Sequence, residues 1–191
     1  MKLLLLLLKA LLITLVWFFV LKSCQERSEV KRVQRYIERL PEILNVEKLI
    51  YIAESPWYYA IGPGGNEGGV RVFEMPEEIV NKLATDRDNF LKNEAFKTNR
   101  VWAPLIHLWH ESPDGSHRFP PNGIDREDCT ANQFSTIQNY IEYYTSVDLN
   151  HEIIDTIDNA LQSEGSFSIG YYGSLLILMP KERWIVYAFN G

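Results

Sequence analysis

His107-Leu108-Trp109-His110-Glu111 is the segment of this chain richest in groups that bind metals or move protons. On a helix, His107 and His110 would share a face, and imidazole nitrogen is a common zinc ligand. The preceding run, Val101-Trp102-Ala103-Pro104-Leu105-Ile106, favours a strand instead, where residues three apart point to opposite faces. The order also matches neither helical zinc-protease signature, His-Glu-x-x-His or His-x-x-Glu-His. His117 follows a predicted turn at Ser112-Pro113-Asp114-Gly115, and could join one of them with Glu111, Asp114 or Cys129 completing a shell. Zinc bound there would make the chain a metal-dependent hydrolase. Partly buried strand histidines with no metal are the stronger reading.

Other reactive groups carry less. Cys129 has Asp125, Glu127 and Asp128 beside it, and carboxylates oppose the thiolate that a nucleophile requires. Gly-x-Ser-x-Gly is absent, and Ser28 to Lys31, the Ser-x-x-Lys of this sequence, falls on a polar segment near the amino terminus. The Gly-rich stretch Gly62 to Gly69 leads into a strand, whereas a phosphate cradle leads into a helix. It reads as a long hairpin connection. Trp57, Tyr58 and Tyr59 ahead of it, and Gly64, Gly65 and Glu67 within it, are candidate partner or ligand contacts.

The elements that would position these groups follow from periodicity. Lys48 to Ala53, Trp57 to Ile61 and Val70 to Met75 are rich in β-branched and aromatic residues and predict strands. Pro76 opens a helix with Glu77 and Glu78 at the positive end of its dipole, and Phe90, Leu91 and Phe96 suggest a second helical stretch. Val101 to His110 predicts a strand and Asn132 to Thr145 a helix. Asn150 then caps a helix with Ile153, Ile154, Ile157 and Leu161 as its stripe. Phe167 to Tyr171, Leu175 to Met179 and Trp184 to Phe189 predict closing strands, the last two joined by Pro180-Lys181-Glu182-Arg183. Blocks of strand alternate with blocks of helix. The expected fold class is therefore α+β, a single domain with a mainly antiparallel sheet packed by helices.

Ahead of that domain stands an N-terminal hydrophobic export or anchor helix. Leu3 to Leu21 is apolar apart from Lys9 and Thr14, enough for about 28 Å of helix. An alternative division makes Lys2 and Lys9 the charged leader and Ala10 to Leu21 the apolar core of a signal peptide. Leu21-Lys22-Ser23-Cys24 resembles the lipobox of bacterial lipoproteins in its Leu, its small residue and its Cys, with Lys22 departing from the pattern. The resemblance implies cleavage before Cys24 and lipidation of its thiol. Lys22, Arg27, Lys31, Arg32 and Arg35 would instead hold an uncleaved anchor with its domain in the cytoplasm. Residues 1–23 thus read as signal peptide or anchor, 24–45 as an amphipathic connecting helix that Pro41 interrupts, and 46–191 as the globular domain.

Composition bounds the partners. Without residues 1–23 the 19 basic side chains lose Lys2, Lys9 and Lys22, leaving 16 against 25 acidic ones and a net charge of −9. That balance argues against nucleic acid, whose phosphates reward basic surfaces, and draws the chain towards basic partners. With two cysteines, one of them the lipid candidate, the fold relies on its core rather than on disulfides. Taken together, the sequence predicts a membrane-tethered binding protein of the cell envelope, held outside the cytoplasm and contacting an envelope protein. An inhibitor, immunity or assembly role fits, with no cofactor. The alternative is the envelope hydrolase using His107, His110 and His117.

Overall fold

The computed structural model describes residues 28–56, 67–93, 96, 109–113, 136–142, 146–171 and 174–190, with 14, 17, 18 and 22. The chain divides into two compact units, Met1–Leu40 and Pro41–Gly191. In the first, residues 28–37 are helical (α1). Val30, on the apolar stripe of this segment, is 70% exposed there. Among the described residues no helix is long and apolar enough to cross a membrane, and most of the run 3–21 lies outside them.

The second unit opens with a short 3-10 turn, Glu42–Leu44, directly after Pro41. Strands β1 (Leu49–Glu54) and β2 (Gly68–Glu74) then pair antiparallel. Helices α2 (Glu77–Thr85) and α3 (Arg87–Leu91) follow, then a two-residue strand β3 (His110–Glu111). Helices α4 (Ile137–Ile141) and α5 (His151–Gln162) precede a meander of β4 (Phe167–Tyr171), β5 (Ser174–Met179) and β6 (Trp184–Asn190). The sheet order is β1-β2-β6-β5-β4-β3, with each neighbouring pair antiparallel. The meander therefore returns the last strand to the centre, between β2 and β5.

Central strands covered on both faces lose the apolar–polar alternation of a half-exposed sheet. The sequences show it: Leu175-Leu176-Ile177-Leu178-Met179 and Ile185-Val186-Tyr187-Ala188-Phe189 are buried throughout. One face, carrying Val70, Val72, Leu175, Ile177, Met179, Val186 and Ala188, packs against Ile137, Ile141, Ile154 and Ile157 of α4 and α5. On the opposite face Arg87, which opens α3, lies 5.8 Å from the Phe167 ring centre. Ile79, Leu83, Phe90 and Leu91 of α2 and α3 are buried outside the first cluster. Phe96 meets Phe90 and Trp109 edge-on at 5.5 Å each.

The local signals act as expected where they are visible. Pro76 precedes α2, and Asn150 Oδ1 accepts from the N–H groups of Glu152 and Ile153 at the head of α5. Tyr51 Oη on β1 accepts from Asn150 N at 2.8 Å, which ties that cap to the sheet. The strand expected to end at His110 is described only over His110–Glu111, with 101–108 outside the described residues. The helix expected over Asn132 to Thr145 is seen as Ile137–Ile141, its flanks likewise outside them. Phe96 stands beyond α3 rather than within it.

Candidate functional site

Of the residues that could do chemistry, His110 is described. It sits in the edge strand β3 directly opposite Ser168 of β4, so the two side chains share a sheet face. Ser168 is 2% exposed and unavailable to substrate. Glu111 turns to the other face and takes up Arg87 Nη1 at 2.8 Å. His110 and Glu111 thus diverge, as strand geometry requires. Among the described residues no group of three His, Cys, Asp or Glu side chains is placed to hold a metal ion. His107, His117 and Cys129 lie outside the described residues, as do Cys24, Trp57, Tyr58, Tyr59, Gly64 and Gly65.

Glu67 is exposed at the end of the β1–β2 connection. The neck of that connection is closed by two bonds: Ser55 N donates to Gly68 O at 2.8 Å, and Gly68 N donates to Ser55 Oγ at 3.1 Å. Beside the neck lies a polar cluster that the sequence reading missed. Arg71, in the middle of β2 and 4% exposed, donates through Nε to Glu54 Oε1 at 2.7 Å. Its guanidinium stacks 4.6 Å from the Phe189 ring centre and 5.6 Å from that of Tyr187. Tyr187 Oη and Ser174 Oγ are 3.2 Å apart. A charge this buried needs its carboxylate and its aromatic platform, and both are supplied by neighbouring strands. The arrangement is a structural ion pair.

A groove of about 270 Å³ lies at the head of α2, lined by Glu47, Lys48, Glu74, Met75, Pro76 and Arg183. Three of its four charged side chains are ion-paired. Lys48 Nζ donates to Glu74 at 2.9 Å, holding that carboxyl below its usual range, and Arg183 Nη1 meets Glu77 at 3.1 Å.

Among the described residues, the acidic side chains of the α4–α5 side form no ion pair. Between Arg126 and Lys181 the sequence contains no Lys or Arg, while Glu142, Asp148, Glu152, Asp155, Asp158 and Glu164 all fall there. Helix α5 sorts them by its period. Ile154, Ile157 and Ala160 go to the core, and Glu152, Asp155, Asn159 and Gln162 form an exposed stripe, with Asp148 exposed ahead of the cap. Asp158, part-buried at the margin, accepts from Ile137 N at 2.6 Å and so satisfies the first N–H of α4. Burial raises its pKa to about 6, against that hydrogen bond and with a further push from Asp155. The missing sequence signal was negative: a long stretch without a cation, silent to any search for motifs.

No family model matches the chain, and neither a curated protein nor a solved structure does.

Proposed function

We propose that this chain is a membrane-tethered binding protein of the cell envelope that acts by occupying the surface of a basic protein partner. The observation that carries the reading is the acidic outer face of α5. Glu152 and Asp155 project there from the helix, Asp148 stands just ahead of its cap, and residues 127–180 supply no Lys or Arg. A single-signed face focuses potential, speeds encounter with a complementary surface and rejects like-charged ones. The apolar run 3–21, with Leu21, Ser23 and Cys24 in lipobox-like spacing, supports tethering and lipid at Cys24. An inhibitor, an immunity-type protein or an assembly factor would each use such a face.

The test starts from the full chain with its own amino terminus, extracted in detergent and cross-linked to whatever it touches in the envelope. The doubly reversed variant Glu152→Lys/Asp155→Lys should lose that partner. For the purified pair, affinity should fall at least tenfold on reversal and fall steeply with salt, because exposed charges are screened within about 10 Å at 0.1 M. Binding indifferent to both changes would overturn the assignment of the face. Mass spectrometry of the same extract reads the state of Cys24 separately.

A further inference from the structure

We propose that α1 lies along an anionic phospholipid surface, with its row of exposed cations set against the headgroups. Lys31, Arg32 and Arg35 fall on one face of this helix at spacings of three and four, and all three are exposed. Arg39, in the turn that closes the helix, continues the row. Among the described residues none of Lys31, Arg32 and Arg35 forms an ion pair, whereas Lys48, Arg71, Lys82, Arg87 and Arg183 all do. The apolar stripe is the less available side: Val33 and Ile37 are part-buried, and Leu40 beyond them is 3% exposed. Exposed Glu29 and Glu38 stand to either side of the row and not within it.

The occupant follows from charge and from what precedes the helix. Residues 1–40 hold 8 of the 19 basic side chains and 3 of the 25 acidic ones, a net +5, which leaves residues 41–191 at −11. The sign changes where the chain divides into its two units. Apolar surface lies ahead of the row: Trp17 and Phe18 are 62% and 63% exposed, and aromatic rings favour the boundary between lipid and water. Lys31 follows Phe18 by 13 positions and Cys24 by 7. If the run 3–21 holds the chain, the cations are confined within about 45 Å of the bilayer, and if a lipid on Cys24 holds it, within about 25 Å. Each Lys or Arg near an anionic surface multiplies residence there about fivefold, so three of them form a second signal beside the anchor. A nucleic acid or an acidic protein would meet the same charge, but no apolar neighbour brings either to the helix. The inference rests on the tether reading for proximity alone, and is independent of the α5 face.

The test places the full chain in vesicles of phosphatidylcholine, with or without phosphatidylglycerol, each carrying a trace of lipid with a photo-crosslinking headgroup. Flotation reads the tether, and cross-links mapped to residues 28–39 read the helix. The chain should float with both compositions. Cross-links in 28–39 should rise about tenfold or more with the anionic lipid, and fall back at about 1 M salt, where the screening length is about 3 Å. Lys31→Gln/Arg32→Gln/Arg35→Gln should remove the rise without changing flotation or the circular dichroism spectrum, and Lys31→Arg/Arg32→Lys/Arg35→Lys should keep it. Flotation with both compositions but cross-links indifferent to lipid charge overturns the proposal and leaves the tether standing. So does capture of 28–39 by protein in place of lipid. Flotation with the anionic vesicles alone, with cross-links at 28–39, upholds the proposal and removes the apolar tether. Flotation with neither overturns both. If the Gln variant fails to fold, the lipid and salt series on the unmodified chain decide.

Discussion

Arg71 and Gly69 show how much one residue of β2 can carry. The Arg71 guanidinium is 4% exposed while its partner Glu54 keeps 30%, so the two halves of the pair are unequal. Glu54→Ala removes the carboxylate from a cation that cannot reach water, and should cost about 2 kcal/mol, below the range for a fully buried pair. Arg71→Met keeps a stem against Phe189 and leaves behind a carboxylate that can hydrate, so its urea midpoint should fall less. The reverse order would disprove this account of the pair. Gly69 is constrained by space: a Cβ would stand 2.6 Å from Ala53 O and 2.9 Å from the Phe189 ring. Gly69→Ala must push the β1 backbone, and a loss of about 3 kcal/mol is expected in the same denaturation assay.

Asp158 belongs to the same scale but reads out through pH. Folded, it keeps its proton up to about pH 6, against an ordinary value of 3.8. The folded chain therefore binds this proton more tightly than the unfolded chain does. The stability it confers is complete below about pH 4 and is lost as pH rises through 6. Asp158→Asn keeps an oxygen for Ile137 N and abolishes the titration. The melting temperature of the variant should exceed that of the parent at pH 7, and the difference should shrink towards pH 4. A constant difference across that range would refute the assignment.

At the scale of elements, α5 is secured at its head. Asn150 Oδ1 serves two backbone donors and Asn150 N reaches Tyr51 Oη, so the cap joins helix to sheet. Asn150→Ala should cost about 1 kcal/mol, measured as a lowered urea midpoint with an unchanged slope. Strand β5 is the opposite case, since its apolar side chains contribute through burial and not through a cap. Ile177 is fully buried against α4 and α5, and Ile177→Ala should lose roughly 3 kcal/mol through lost transfer energy and the cavity it leaves. Much of this was legible beforehand. Asn150 ahead of an Ile stripe, Pro76 before two glutamates, and Pro180 to Arg183 between two apolar runs are local chemistry, and local chemistry needs no fold to be read. The exposed Val30 was not legible, because periodicity records which face is apolar and not whether anything covers it.

For the whole molecule, the α+β class, the closing strands, the caps and the acidic balance could be read before folding, since each follows from residue type and spacing along the chain. The sequence also carried the expectation of an amino-terminal membrane signal. Tertiary structure decided the strand order, which brings β6 between β2 and β5 across more than a hundred residues of intervening chain. It decided that Arg71 lies under Phe189 and Tyr187 beside Glu54, a contact among three strands that no window of sequence contains. It set Glu111 against Arg87, on the face away from His110, because a strand alternates its side chains where a helix would have gathered them. Charge is a sum that composition gives at once. Where charge accumulates depends on which face of α5 the core claims, and that is settled only when the sheet is there to claim it.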